Sequence, residues 1–244
     1  MRPLFKYILF VFSMFILFAS CKKDYQSGEV KLRFTHKVGT RDLVYRSVDL
    51  YTNVAGNQYN VTNLQYYISN VVFTSKGGQT YPQNTYDLIS ATDTSTTTLS
   101  FPNMQGNEYD KVSFYVGIDS VKNHSGDQSG DLAPIHNMIW TWASGYVFLK
   151  VEGKYIDSTG TSQNYRLHLG TEPNLVKVEL PASFVLDGAT RTIDLNMDLN
   201  ELFKNPNTID ISQNPDIQSF PSESDITGKY AQNQVDMFTI INIK

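Results

Sequence analysis

Histidines are the residues of this sequence best suited to hold a metal ion. The chain has four of them: His36, His124, His136 and His168. Neutral imidazole is the commonest metal ligand in proteins. Four histidines in 244 residues are no excess, and a single histidine is commonly a hydrogen-bonded core or surface residue. Two interpretations therefore stand, a metal site and ordinary packing.

Two tryptophans, Trp140 and Trp142, follow His136 closely. If this segment is extended, both side chains lie on the same face. Large aromatic side chains either pack as anchors beneath a loop or stand at a binding surface. Residues 119–144 form a connection too long for a tight hairpin, and long structured loops often carry function.

Oxygen ligands are grouped in the same connection. Asp119, Asn123, Asp127 and Asp131 are donors of the kind that Ca²⁺ prefers. Their spacing does not match an EF-hand loop. We therefore expect these side chains to face water rather than to bind calcium.

Motifs of enzyme active sites are missing from the sequence. It contains no Gly-x-Ser-x-Gly elbow, no P-loop and no His-Glu-x-x-His. Its single cysteine, Cys21, lies at the end of an apolar leader, so the folded part lacks a cysteine nucleophile. We predict that the protein is not an enzyme.

The N-terminus has the organisation of a secretory signal peptide. Arg2 and Lys6 precede an apolar run over residues 7–17, and Ala19-Ser20-Cys21 follows. The run is shorter than the about 20 residues that a membrane-spanning helix needs. Small residues before a lone cysteine match the bacterial lipobox, in which that cysteine receives a lipid.

The predicted lipid anchor divides the chain into three parts. Residues 1–20 are a signal peptide, residues 21–29 are a flexible tether with the lipid on Cys21, and residues 30–244 are one domain. Such an anchor places the domain in the cell envelope, either in the periplasm or at the outer membrane and cell surface. The mature chain has no cysteine pair for a disulfide.

Charge and aromatic content indicate which partners and which fold class are expected. The formal net charge is −4, and no basic block occurs, so phosphate backbones are not expected ligands and nucleic acid is excluded. Aromatic residues make up 13% of the chain, which is typical of a β-rich fold.

Alternating apolar residues predict β-strands. In residues 30–36, the side chains of Val30, Leu32, Phe34 and His36 share one face, so His36 points inward or toward a rim. Repeated short strands without a long amphipathic helix favour an all-β fold, an antiparallel β-sandwich with Greek-key, immunoglobulin-like connections and long loops. Further strands are predicted over residues 64–75, 111–118, 145–153, 165–169, 175–180, 189–199 and 235–243.

Five short motifs occur in one order along the chain. They are residues 64–71 (LQYYISNV), Gly117-Ile118-Asp119, residues 138–148 (MIWTWASGYVF), Glu152-Gly153 and His168-Leu169-Gly170. In this order the chain resembles MbnP-like domains, from about residue 30 to residue 237. These are copper-binding proteins of the periplasm or cell surface related to MopE and CorA of methane-oxidising bacteria.

The resemblance implies copper held by imidazole nitrogens and a tryptophan oxidised to kynurenine, in some members by a partner dihaem enzyme. Trp140 and Trp142 are the candidates for that modification here. Imidazole suits copper, and a two-imidazole site for Cu(I) with one weak extra donor needs no cysteine.

The ligand candidates follow from the resemblance together with the strand pattern. His36 faces inward and His168 opens the His-Leu-Gly motif, so these two lead. His136, which precedes the tryptophans, comes next, and His124 ranks after it.

Three functions follow from these observations. The first is a lipid-anchored, extracytoplasmic copper-binding protein that serves copper acquisition or handling. The second is a surface adhesion module that binds a glycan or a protein without metal, through an aromatic side chain such as Trp140 or Trp142. The third is a purely structural envelope lipoprotein.

Overall fold

Two β-sheets packed face to face form most of the protein. The computed structural model describes residues 23–126, 128–141 and 144–244. The predicted signal peptide and Cys21 lie outside the described residues. The described strands are β1 Gly28–Val38, β2 Arg41–Asp42, β3 Tyr51–Thr52, β4 Gln58–Ser75, β5 Thr80–Pro82, β6 Tyr86–Ser90, β7 Thr98–Met104, β8 Asn107–Val116, β9 Ile139–Thr141, β10 Gly145–Ile156, β11 Ser162–Gly170, β12 Val176–Leu186, β13 Arg191–Asp198, β14 Asp216–Ile217 and β15 Phe238–Ile243.

The smaller sheet has the strand order β15-β13-β1-β2, with β7 also paired to β1. The larger sheet has the order β12-β8-β4-β10-β11-β14; β3, β5 and β6 pair with β4, and β9 pairs with β10. The predicted all-β sandwich is confirmed. Its sheets are mixed rather than purely antiparallel, because β1 runs parallel to β13 in the smaller sheet and β11 runs parallel to β14 in the larger one.

The main core lies between the two sheets and is rich in aromatic rings. Phe34 of β1 packs edge-on against Tyr66 of β4, Phe114 of β8 and Phe238 of β15, with ring centroids 6.3, 6.2 and 6.2 Å apart. All four side chains are buried. Edge-to-face packing and the removal of so much apolar surface from water hold the sheets together.

Strand β4 is long and changes its inward face twice. Its main-core residues lie at odd positions from Tyr59, at even positions from Leu64 and at odd positions again from Val71. Register shifts against β10 and β8 mark the same two places. At the second, Asn70 has a φ of 50°, a left-handed conformation that asparagine tolerates. Bulges of this kind bend a strand. The first half of β4 pairs with β10 and its second half pairs with β8.

Part of the outer face of the larger sheet is covered by residues 117–126 and 128–138, in the connection from β8 to β9. Tyr67 of β4 donates a hydrogen bond to the carbonyl of Asp131 at 2.9 Å, and Tyr146 of β10 donates to the carbonyl of Leu132 at 2.8 Å. A second apolar cluster is buried beneath this connection. These contacts position β9, which carries Trp140.

Two short α-helices complete the described fold: α1 Ser120–Asn123, inside the long connection, and α2 Ser224–Gln234 near the C-terminus. Among residues 23–126, 128–141 and 144–244, no helix has the length and hydropathy of a membrane span.

Candidate functional site

His36 lies on the inward face of β1, between the two sheets. Its Nε2 is 2.9 Å from the hydroxyl of Tyr66, a hydrogen bond, and the two rings meet edge-on with centroids 5.8 Å apart. The inward orientation predicted from the alternation of β1 agrees with this position.

His168 lies on the opposite face of the larger sheet. It is directly across from Lys150, which is directly across from Gln65. Residues opposite each other in a ladder point to the same face, and neighbours along a strand point to opposite faces. Since Gln65 adjoins Tyr66, His168 points away from the side where Tyr66 meets His36. The sheet separates these two imidazoles, so the structure does not bring the predicted ligand pair together.

The polar outer face gives His168 a carboxylate partner. Its Nε2 is 2.7 Å from Oε1 of Glu152. Hydrogen bonds from His168 and Asn63, together with nearby positive charge, lower the pKa of Glu152 to about 2, even though burial acts in the other direction. Arg166, across the ladder from Glu152, forms its own bidentate pair with Asp216 at 2.8 and 2.7 Å. His168 thus belongs to a network of charged side chains.

The other two histidines lie in the long connection. His136 Nε2 is 3.1 Å from the carbonyl oxygen of Gly130, and His124 Nε2 is 2.6 Å from Oε1 of Glu172. Among the described residues, no group of three or more histidine, cysteine, aspartate or glutamate side chains is arranged to hold a metal ion.

A cavity of about 570 Å³ brings His124 and Trp140 together. It opens at the turn after β11, and Glu172, Ser144 and Phe220 also line it. This volume lies within the range of about 300–1,000 Å³ typical of small-ligand sites. Other cavities of the described residues have volumes in the same range. This one is the candidate functional site because an imidazole, a carboxylate and an indole line it together.

Asn123 holds the polar side of this cavity in place. Its Nδ2 donates to Glu172 Oε1 at 2.9 Å, and its Oδ1 accepts the backbone N–H of Tyr146 at 2.7 Å. Helix α1 starts at the cap Asp119, which accepts the N–H of Lys122. One buried amide therefore joins α1, β10 and the turn that carries Glu172.

Glu172 is a carboxylate near neutral pH. Burial acts to raise its pKa, but hydrogen bonds from Asn123, from its own backbone N–H and from His124 outweigh this effect, so the pKa lies below its ordinary value. The cavity thus offers one imidazole and one charged carboxylate in contact.

Trp140 closes the apolar side of the cavity. It lies in β9 and packs on Gly170, where a Cβ atom would come within 2.7 Å of the indole ring. Its Nε1 is buried without a hydrogen-bond partner in the described part of the chain. Trp142, the other predicted modification site, lies outside the described residues.

The sequence predicted that the oxygen donors of the long connection face water rather than bind calcium. This is wrong for Asn123, which is 2% exposed, and the two described carboxylates also contact the protein. Asp119 accepts hydrogen bonds from Asn70 at 2.9 Å and from the Tyr86 hydroxyl, and Asp131 accepts the N–H of Leu88 at 2.8 Å. Asp127 lies outside the described residues.

Burial of His36 predicts a loss of stability in acid. Burial lowers the pKa of His36 to about 4, against an ordinary value of about 6.5. Between these values the unfolded chain binds a proton that the folded chain does not, so stability falls as the pH falls from about 6.5 to about 4. The loss reaches about 3 kcal/mol for this group.

Urea unfolding of the wild type and of His36→Gln at about pH 7 and about pH 4.5 measures this loss. The wild type is expected to lose more stability than the variant on acidification. Equal losses would place the imidazole in water rather than between the sheets.

Comparison with known proteins identifies the family. The family model MbnP matches residues 27–219, which is most of the chain. Among solved structures, MbnP from Methylosinus trichosporium is similar with a TM-score of 0.58 and 15% sequence identity; the match covers 88% of this chain and 98% of that one. At this identity the likeness shows the fold alone. No curated protein matches the chain. The chain belongs to the MbnP family.

Proposed function

We propose that this protein is a lipid-anchored, extracytoplasmic copper-binding protein that handles copper as cargo and catalyses no reaction of its own. We further propose that the ion is taken up at the Trp140 cavity by His124 and Glu172. Family membership and the resemblance to copper-binding relatives support the choice of copper as the metal. The contact between His124 and Glu172 at the edge of the cavity supports this cavity as the binding site.

The donor set at the cavity suits copper. His124 Nε2 and Glu172 Oε1 are 2.6 Å apart, so small movements of the two side chains let both reach one ion. Nitrogen and oxygen donors together are typical of Cu(II) sites. The two side chains are 41% and 40% exposed, which gives an ion access from water. Two protein donors leave coordination positions open, which favours capture and release over permanent storage.

We also propose that the tryptophan oxidation implied by the resemblance takes place at this cavity. Trp140 borders the cavity, so we expect it, rather than the other candidate Trp142, to be the residue that a partner dihaem enzyme would oxidise. Intact-mass analysis of Trp140→Phe beside the wild-type protein from its native host tests this. A modified mass that survives Trp140→Phe would exclude Trp140.

Copper titration of the chain from Lys22 to Lys244 tests the proposed function. We expect one copper ion per chain, and we expect His124→Ala and Glu172→Gln each to lower the affinity about tenfold or more. The matched control is the other imidazole–carboxylate contact, His168 with Glu152 at 2.7 Å.

The control variants His168→Ala and Glu152→Gln are expected to keep the copper affinity of the wild type. Affinity that is lost in His168→Ala and unchanged in His124→Ala would place the ion on the polar outer face and contradict the proposed site. A protein that takes up no copper would contradict the proposed function itself.

The lining of the cavity favours a second candidate, the metal-independent recognition of a glycan. Trp140 and Phe220 border the cavity, Phe220 is exposed, and aromatic faces bind sugar rings by stacking. Glycan binding that survives a chelator and is lost in Trp140→Ala would favour this function over copper handling.

A further inference from the structure

The residues just before β1 are held against the domain. Gln26 donates its N–H to Asp187 Oδ1 at 2.9 Å and accepts the N–H of Gly188 at 3.0 Å. The Tyr25 hydroxyl donates to the carboxylate of Glu108. The backbone of Tyr25 lies so close to Gly106 that a Cβ there would come within 2.4 Å of it. Residues 25 and 26 of the predicted tether are therefore held by the domain, and residues 28 and 29 already belong to β1.

These contacts lie at one end of the larger sheet. Leu186 at the end of β12 is opposite Asn107 at the start of β8. At the other end of the same pair, Val176 is opposite Val116. The nine steps from Asn107 to Val116 rise about 3.3 Å each, which gives about 30 Å.

The Trp140 cavity lies beyond the other end of this strand pair. Helix α1, which leads to His124, begins four residues after Val116, and Glu172 precedes Val176 by four residues. The attachment of the N-terminal segment and the cavity are thus separated by about the length of β8, or about 30 Å.

We propose that the membrane-anchored protein stands with its turns 105–108 and 187–190 toward the lipid surface and presents the Trp140 cavity to the aqueous side. This rests on the lipid anchor at Cys21 that is part of the proposed function. Cys21 precedes Tyr25 by four residues, which span at most about 14 Å. The bound end is therefore kept near the membrane, and the cavity is held away from it.

The end of the domain nearest the membrane carries charges of both signs. The turns near the membrane carry Glu108 and Asp187, and Lys76 nearby is 3.7 Å from Glu108. Lys23, over the Tyr25 ring at 4.9 Å, and Arg191, which donates to the carbonyl of Val185, are also at this end. Acidic and basic side chains are therefore mixed there, and anionic lipid, which attracts clusters of basic residues, finds no patch of a single sign. In the proposed orientation the cavity lies away from the lipid surface. Its ligand therefore arrives from water, either free or carried by a soluble protein.

The chain provides its own probes for a test of this orientation. Cys21 is its only cysteine, and Trp140 and Trp142 are its only tryptophans. The chain from Cys21 to Lys244 is coupled through its thiol to maleimide-bearing lipid in vesicles whose headgroups carry nitroxide quenchers. Tryptophan fluorescence then reports how near the cavity segment comes to the headgroups.

A matched variant places the probe at the other end. Thr190→Trp, made together with Trp140→Phe and Trp142→Phe, moves the fluorophore to the turn after β12, where Thr190 is exposed. We expect the nitroxide to quench this variant several-fold more than it quenches the native tryptophans. Equal quenching, or stronger quenching of the native tryptophans, would overturn the proposal.

A second pair of samples tests whether residues 25–29 hold the orientation. A long Gly/Ser linker inserted between Lys23 and Asp24 lets the domain turn freely, so the difference between the two probe positions is expected to shrink. A difference unchanged by the linker would overturn the role of the bound segment. Mass analysis of Cys21 in protein from its native membranes tests lipidation separately, so a failed orientation and a failed anchor are distinguishable.

Discussion

Replacing Phe34 by alanine is expected to lower the free energy of unfolding by about 3–5 kcal/mol. Phe34 packs edge-on against three aromatic rings and joins β1 of the smaller sheet to β4 and β8 of the larger one. It is 2% exposed, so truncation leaves a cavity that rigid neighbours cannot fill. Urea unfolding of the two proteins measures the difference.

Phe220→Ala is the matched control for this prediction. Phe220 is 56% exposed, so the same truncation there is expected to change stability by no more than about 0.5 kcal/mol. If Phe34→Ala costs no more than Phe220→Ala, the two sheets do not meet at Phe34 as described.

Asn123→Ala is expected to lower the free energy of unfolding by about 3–4 kcal/mol and to weaken copper binding. The change removes a hydrogen bond to the carboxylate of Glu172 and leaves the N–H of Tyr146 without the amide oxygen that it now contacts. It also releases α1, and with it His124, from the turn that carries Glu172. Urea unfolding and copper titration of the same variant measure the two effects.

A second buried asparagine provides a control that separates an effect on stability from an effect on copper binding. Asn233 of α2 is fully buried and donates to the carbonyls of Leu202 and Asn207 at 2.9 and 2.7 Å. Asn233→Ala is expected to destabilise the protein to a similar degree without a change in copper affinity. If both variants lose copper equally, the loss in Asn123→Ala reflects global destabilisation and not the cavity.

The strands were largely predictable because their apolar residues alternate. Residues 30–36 lie within β1 and residues 189–199 overlap β13 as expected. The parallel pairing of these two strands was not predictable, because it joins segments about 160 residues apart. In β4, the two bulges change the inward face, so no single alternation runs through the strand.

Helix α2 was not predicted because its buried face is largely polar. Its buried residues are Thr227, Tyr230, Asn233 and Gln234. Apolar periodicity, which marks most amphipathic helices, is therefore weak over this segment.

The candidate site was only partly predictable. Tyr165, Leu167 and Leu169 are buried and alternate with His168, so His168 points away from the main core. The motif alone had favoured its pairing with His36. His124 and Glu172 are 48 residues apart and meet through two loops. No local pattern marks such a contact, and Glu172 was not among the predicted site residues.

Anomalous diffraction at the copper absorption edge, from crystals of the copper-loaded chain, tests the central claim most directly. The proposed function predicts one peak at the Trp140 cavity, within bonding distance of His124 Nε2 and of the Glu172 carboxylate. A peak beside His36 or His168, or copper bound without a peak at His124, would contradict it.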